Sequence, residues 1–127
     1  MASTVLVSED LEKGRDVVRA LDKEGVSVSS AFWLRDPDAE TFRLVLALPK
    51  AKEEGPKAAY QVVREALERQ RIDFRIWHID VVSPDDETTT LVRRMVTTPS
   101  DAIAGLRFTH NVINNTLIED AYVYRSS

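Results

Sequence analysis

The feature that most constrains the fold is an alternating segment over 26–49, which predicts two strands joined by an acidic turn. Apolar residues recur at every second position, as in Phe32 and Leu34 before the turn and Phe42 and Leu44 after it. If these residues share one face, Leu34 lies opposite Phe42 and Phe32 opposite Leu44, and the turn holds an odd number of residues. The segment therefore predicts a hairpin at the centre of the fold.

The reverse side of this hairpin is also apolar, although a sheet surface that faces solvent is normally polar. It carries Ala31, Trp33, Val45 and Ala47, and the predicted register places Trp33 opposite Arg43. Two explanations are open: a second layer of the same domain, or an interface with another chain. Ala31, Trp33, Arg43 and Val45 are the candidate interface residues, with Trp33 and Arg43 as a candidate stacking pair.

Composition limits the classes of protein that the chain can belong to. With 127 residues, 43% of them hydrophobic, we expect a single domain spanning 1–127. The chain has 17 basic and 21 acidic residues and a net charge of -4, so nucleic acid is an unfavoured partner. The absence of cysteine excludes disulfides and thiol chemistry. No leader-like or membrane-length apolar run is present, so we expect a cytoplasmic protein with no membrane association.

The remaining periodicities predict three helices, a further strand and a second hairpin. Helices are expected over 8–24, over 57–70, and from Ser83 to about Thr98, with a charged loop over 51–55. A strand over 74–82 is apolar on both sides and is expected to be interior. The order α-β-β-α-β-α-β-β predicts a single α+β domain in which helices pack on a mostly antiparallel five-stranded sheet.

The second hairpin joins 106–113 to 116–125 around Asn114 and Asn115, which tolerate the backbone of a tight turn. Pairing outward from the turn places four pairs on one face: Leu106 with Val123, Phe108 with Ala121, His110 with Glu119, and Val112 with Leu117. We therefore expect a largely apolar face that contains one ionisable pair.

That pair, His110 and Glu119, is the most specific candidate site in the sequence. A carboxylate beside an imidazole favours the charged imidazole, as in a general acid or a pH-sensitive contact. His78 is a further candidate catalytic residue, and Asn111 is a candidate ligand-binding residue. The alternative is that the pair lies at the rim of the core near the turn and has only a structural role.

Common cofactor and metal motifs cannot be written on this chain. The four glycines are isolated, which excludes a dinucleotide fingerprint and a P-loop. The segment from Asp36 begins like a calcium loop, but Thr41 and Ala47 stand where such a loop needs glycine and a bidentate glutamate. We therefore expect neither a cofactor nor a metal.

Three short runs resemble small bacterial proteins of unknown function and similar length. They are the runs at 31–34, 111–114 and 118–122, with sequences AFWL, NVIN and IEDAY. The resemblance covers most of the chain and implies a stand-alone bacterial domain, with no catalytic residue to transfer.

Two functional hypotheses follow. The first is a non-enzymatic interaction or regulatory module that forms a homodimer through a sheet face, because the first hairpin has a second apolar side and strong catalytic motifs are absent. The alternative is a small acid–base enzyme or ligand-binding protein that uses His110 and Glu119.

Overall fold

A computed structural model describes residues 8–36, 41–73, 79–113 and 115–127, except for the side chains of Asp36, His110 and Glu119. The helices are α1 (Ser8–Lys23), α2 (Pro49–Glu54), α3 (Pro56–Arg69) and α4 (Glu87–Met95). The strands are β1 (Ser30–Asp36), β2 (Thr41–Ala47), β3 (Ile79–Val82), β4 (Leu106–Ile113) and β5 (Thr116–Ser126). The predicted α+β class and five strands are confirmed for the described part of the chain.

The helices follow from their end signals, and one of them was missed. Helix α1 has Glu9 and Asp10 in its first turn, and Gly25 follows it with a φ of 73°, as a left-handed stop requires. Helix α2 lies where a charged loop was predicted. Pro49 and Pro56 each lie at the start of a helix, a position that suits proline. Two helices, α2 and α3, therefore begin where the sequence predicted a loop followed by one helix.

The strand order in the sheet is β3-β2-β1-β5-β4. The sheet is mixed rather than mostly antiparallel, because β3 pairs parallel with β2 while the other three junctions are antiparallel. Helices α2 and α3 form the crossover between β2 and β3, the usual connection for parallel strands. Within the described residues β3 is an edge strand, not the predicted interior one. The rest of that predicted strand, residues 74–78 including His78, lies outside the described residues.

The predicted register of the first hairpin is wrong by one residue. Leu34 lies opposite Arg43, Trp33 opposite Leu44 and Phe32 opposite Val45. The predicted stacking of Trp33 on Arg43 is therefore wrong as well. Asp36 pairs with Thr41, so the connection holds four residues rather than an odd number.

The register differs because helices cover both faces of the sheet. Trp33, Leu44 and Leu46 belong to a core with residues of α1 and α3, so we call that side the α1/α3 face. Phe32 and Val45 belong to a second core with Val92 of α4, so we call the other side the α4 face. When both faces are buried, neither register exposes apolar side chains to water, and alternation alone does not choose between them.

The predicted register of the second hairpin is confirmed by its described pairs. Leu106 lies opposite Val123, Phe108 opposite Ala121, and Val112 opposite Leu117. Ile113 pairs with Thr116, which leaves a two-residue turn, and Asn115 has a φ of 63°. This backbone is typical of the primed turns that match the twist of a hairpin.

The chain end is held to α1 by an ion pair that sequence analysis did not predict. The Arg125 side chain is buried, and its guanidinium donates to both carboxylate oxygens of Asp22 at 2.9 and 2.7 Å. It also donates to the carbonyl oxygens of Ala102 and Val28. Because these acceptors compensate the loss of water around a buried cation, the pair fixes the end of β5 against α1 and the loop before β4.

Candidate functional site

Three of the four candidate interface residues in the first hairpin lie inside the fold. Ala31 is fully buried, Trp33 is 4% exposed and Val45 is 1% exposed. Helices of the same chain cover them, so a second layer of the domain accounts for their apolar character. Contact of these residues with another chain stays a prediction, and Arg43 is the one of the four with part of its side chain exposed.

Trp33 is held in a buried hydrogen-bonded chain. Its indole Nε1–H donates to the Tyr124 hydroxyl oxygen at 3.0 Å, and that hydroxyl donates to the Leu11 carbonyl oxygen at 2.5 Å. Burial raises the pKa of Tyr124 above the usual range for a phenol. The Arg15 guanidinium lies 5.9 Å from the centre of the Tyr124 ring. With its hydroxyl engaged in both directions, Tyr124 is suited to a structural role rather than to proton transfer.

Arg43 forms an ion pair with Asp80, which lies on the neighbouring strand β3. Both side chains are partly exposed, at 28% and 35%. The pair ties the short edge strand β3 to β2 on the α4 face, and exposed ion pairs of this kind contribute modestly to stability. Arg43 therefore has a partner within its own chain.

The backbone around His110 and Glu119 follows the predicted register. Thr109 lies opposite Asp120 and Asn111 opposite Ile118, so the pairs on either side carry the register through positions 110 and 119. The two side chains lie outside the described residues. The amide of Asn111 donates to the Thr109 carbonyl oxygen at 3.0 Å, a local contact within its own strand.

The second hairpin carries exposed apolar side chains that were predicted to face the core. Leu106 is 39% exposed, Val112 is 64% exposed and Leu117 is 53% exposed, and we call these three residues the hairpin patch. They occupy the strand face that also holds Phe108 and Ala121, which pack into the α4 core. The hairpin patch therefore flanks a buried surface, with Leu106 at one end of β4 and Val112 and Leu117 at the other.

The reason lies in the lengths of the elements. Helix α4 has nine residues and is about 13 Å long at 1.5 Å per residue. Strand β4 has eight residues and spans about 27 Å at 3.4 Å per residue. A helix of that length can cover at most about half of the strand. Strand alternation in the sequence indicates which residues share a face. Which of those residues stay exposed depends on the length of the helix that covers the face.

Strand β4 is also an edge of the sheet. In the described part of the chain it pairs with β5 alone, and it contains no proline or lysine. Its arginine, Arg107, donates to both carboxylate oxygens of Asp120 at 3.0 and 2.6 Å, and this contact raises the pKa of Arg107. Natural edge strands usually carry proline, bulges or free charge that prevents pairing, and β4 has few of these features.

The helices line a separate set of clefts. One cleft of about 480 Å³ lies along α1 and is lined by Leu11, Glu12, Arg15, Asp16 and Arg19. Its charges alternate in sign, and Arg19 lies 3.8 Å from Asp16. All of these lining residues belong to α1 and their charges balance, so the cleft does not indicate a class of ligand.

Within the described ranges, no three histidine, aspartate or glutamate side chains group closely enough to hold a metal ion. No helix in the same ranges is both long and apolar enough to cross a membrane.

The comparisons with known proteins give no match: none among protein-family models, curated proteins or solved structures resembles this chain significantly.

Proposed function

We propose that this protein is a non-enzymatic interaction module, with a regulatory role, that forms a homodimer through its second hairpin, β4–β5. The observation that carries the proposal is the hairpin patch. Three large apolar side chains share one face of one hairpin and are between 39% and 64% exposed. Val112 and Leu117 lie directly opposite each other, and adjacent exposed apolar residues are typical of partner-binding surfaces.

The position of the patch supports self-association. Residues 109–113 and 116–120 extend past the described pairing of β5 with β1, which ends at Leu34 opposite Ala121. We call this part the hairpin extension. Two strands without a third neighbour are marginally stable in water. A partner that contacts Val112 and Leu117 would stabilise the extension and remove these two apolar side chains from solvent. The proposal retains the bacterial origin and cytoplasmic setting expected from the sequence.

The test is the mass of the native protein, measured by native mass spectrometry across a dilution series. We expect a dimer for the unaltered chain and a dimer dissociation constant raised by about tenfold or more in Val112→Ser, because an apolar side chain that is 64% exposed leaves the contact. The matched control is Tyr60→Ser on α3, since Tyr60 is 41% exposed but lies away from the hairpin. Circular dichroism checks that both variants fold.

A chain that is monomeric at every soluble concentration would refute the proposal, as would equal effects of Val112→Ser and Tyr60→Ser. The second candidate function, an acid–base or ligand-binding site at His110 and Glu119, is favoured by the paired backbone on either side of these residues. The same spectra address it, because it predicts a monomer with a bound small molecule that is lost in His110→Ala.

A further inference from the structure

On the side of β4 that pairs with no other described strand, backbone amide and carbonyl groups are available for hydrogen bonding. In a hairpin with a two-residue turn, the residues that flank the turn exchange both backbone hydrogen bonds, and every second pair along the ladder does the same. Ile113 and Thr116 flank the turn, so Asn111, Thr109 and Arg107 also bond toward β5. The amide and carbonyl groups of the residues between them, including Phe108 and Val112, point toward the free edge.

We propose that β4 of one copy pairs antiparallel with β4 of a second copy, so that the two sheets join into one. This inference rests on the proposed self-association and specifies its geometry. The occupant of the edge is a second copy because the strand is complementary to itself. Antiparallel pairing places residues of the same face together, so the apolar side chains of one β4 meet those of the other.

The charges and exposed side chains select one register. With Thr109 opposite its own copy, Leu106 faces Val112 of the other chain at both ends of the ladder, so four exposed apolar side chains pair. Arg107 then faces Asn111, which keeps the two guanidinium groups at opposite ends. Each Arg107 is also neutralised by Asp120 of its own chain. No like charges described in the structure are brought together, although each copy carries a net charge of -4.

The absence of cysteine makes this register directly testable. A cysteine at position 109 would lie opposite its own copy in a pair without backbone hydrogen bonds, where Cα atoms are about 4.5 Å apart and a disulfide can form. A cysteine at position 111 would lie four residues, or about 13 Å, from its copy. Under mild oxidation, Thr109→Cys should therefore give on the order of tenfold more crosslinked dimer than Asn111→Cys.

A second pair of variants separates edge pairing from face packing. Val112→Pro keeps an apolar side chain but removes an outward amide, whereas Val112→Thr keeps the amide and adds a hydroxyl. Edge pairing predicts that Val112→Pro raises the dimer dissociation constant by about tenfold or more and that Val112→Thr has the smaller effect. Face packing predicts the reverse order.

The outcomes distinguish this inference from the function on which it rests. Preferential crosslinking of Thr109→Cys, together with the stronger effect of Val112→Pro, supports β4 pairing. A dimeric unaltered protein in which Asn111→Cys crosslinks as well as Thr109→Cys, or in which neither does, overturns the pairing and leaves self-association in place. A chain that is monomeric throughout overturns both, and would leave the edge to an extended segment of a different protein.

Discussion

The two hairpins have similar alternating sequences but different environments. In β1–β2 both faces are covered by helices, and Phe32 and Leu44 are fully buried. In β4–β5 the face shared with α4 is buried at Ala121 and Val123, whereas Leu106 at one end of β4 and Val112 and Leu117 at the other are exposed. The register predicted from alternation was wrong in the first hairpin, whereas the register counted outward from the turn was confirmed in the second. Alternation thus specifies the register poorly when both faces are dry.

The turns explain the rest of the difference. Ile113 pairs with Thr116 across two residues, and the left-handed backbone of Asn115 suits few other residue types, so pairing can be counted outward from a fixed point. The acidic connection between Asp36 and Thr41 is longer, and its sequence is compatible with more than one loop length and therefore with more than one strand register. In an alternating sequence, the strand register is therefore predicted more reliably from a tight two-residue turn than from a longer connection.

The largest expected effect comes from truncating one side chain in each hairpin and comparing the loss of stability. We expect Trp33→Ala to lower the free energy of unfolding by about 3–5 kcal/mol, because it leaves a cavity in the core and deprives the Tyr124 hydroxyl of a donor. Val112→Ala should change it by less than about 0.5 kcal/mol. Urea unfolding followed by circular dichroism, at a concentration where the chain is monomeric, measures both.

Equal losses in the two variants would show that the hairpins do not differ in burial as described. The same burial means that Trp33→Glu should unfold the chain rather than disperse an oligomer, since it would place a carboxylate in the core. A folded, monomeric Trp33→Glu would contradict the position of Trp33 beneath α1.

Much of the fold could be predicted because many of its features are local. Helical periodicity and end signals located α1, α3 and α4, and turn chemistry located β4–β5. The parallel pairing of β3 and the buried Arg125–Asp22 pair join segments far apart in sequence, and no local pattern predicts which segments meet. Helix α2 was missed because its six residues are too few to show a period.

The candidate site was predicted less completely, for a physical reason. Pairing from the turn identified which side chains of β4 and β5 share a face, and that part is confirmed for Leu106, Phe108 and Val112. Whether such a face is buried depends on a different element, α4, and on where that helix ends. The hairpin patch was therefore expected in the core.

A smaller effect is expected from a substitution in α1, the helix that packs on the buried first hairpin. A Cβ atom at Gly14 would lie 2.4 Å from the Tyr124 hydroxyl oxygen and 2.7 Å from Trp33 Nε1. We expect Gly14→Ala to lower the free energy of unfolding by about 1–3 kcal/mol, because the packed side chains must move. Combining it with Tyr124→Phe, which removes the nearest atom, should cost less than the sum of the two single changes in urea unfolding.

Additive losses in that double-mutant cycle would mean that the hydroxyl is not what limits the space at Gly14. The matched control is Gly25→Ala: there a Cβ would meet nothing within 4 Å, but φ is 73°. Its cost should be that of backbone strain and should not couple to Tyr124→Phe.

The smallest test concerns the turn that fixes the second hairpin. Asn115 has a φ of 63°, which costs a residue with a Cβ about 1–2 kcal/mol unless its side chain eases the strain, as asparagine does. We expect Asn115→Ala to lower the free energy of unfolding by about 1 kcal/mol and Asn115→Gly to change it by a few tenths. Nuclear Overhauser contacts between Phe108 and Ala121 report the register in each variant. If Asn115→Ala kept both its stability and these contacts, the cross-strand pairs rather than the turn would fix the register. The two hairpins would then differ only in how much of each sheet face the helices bury.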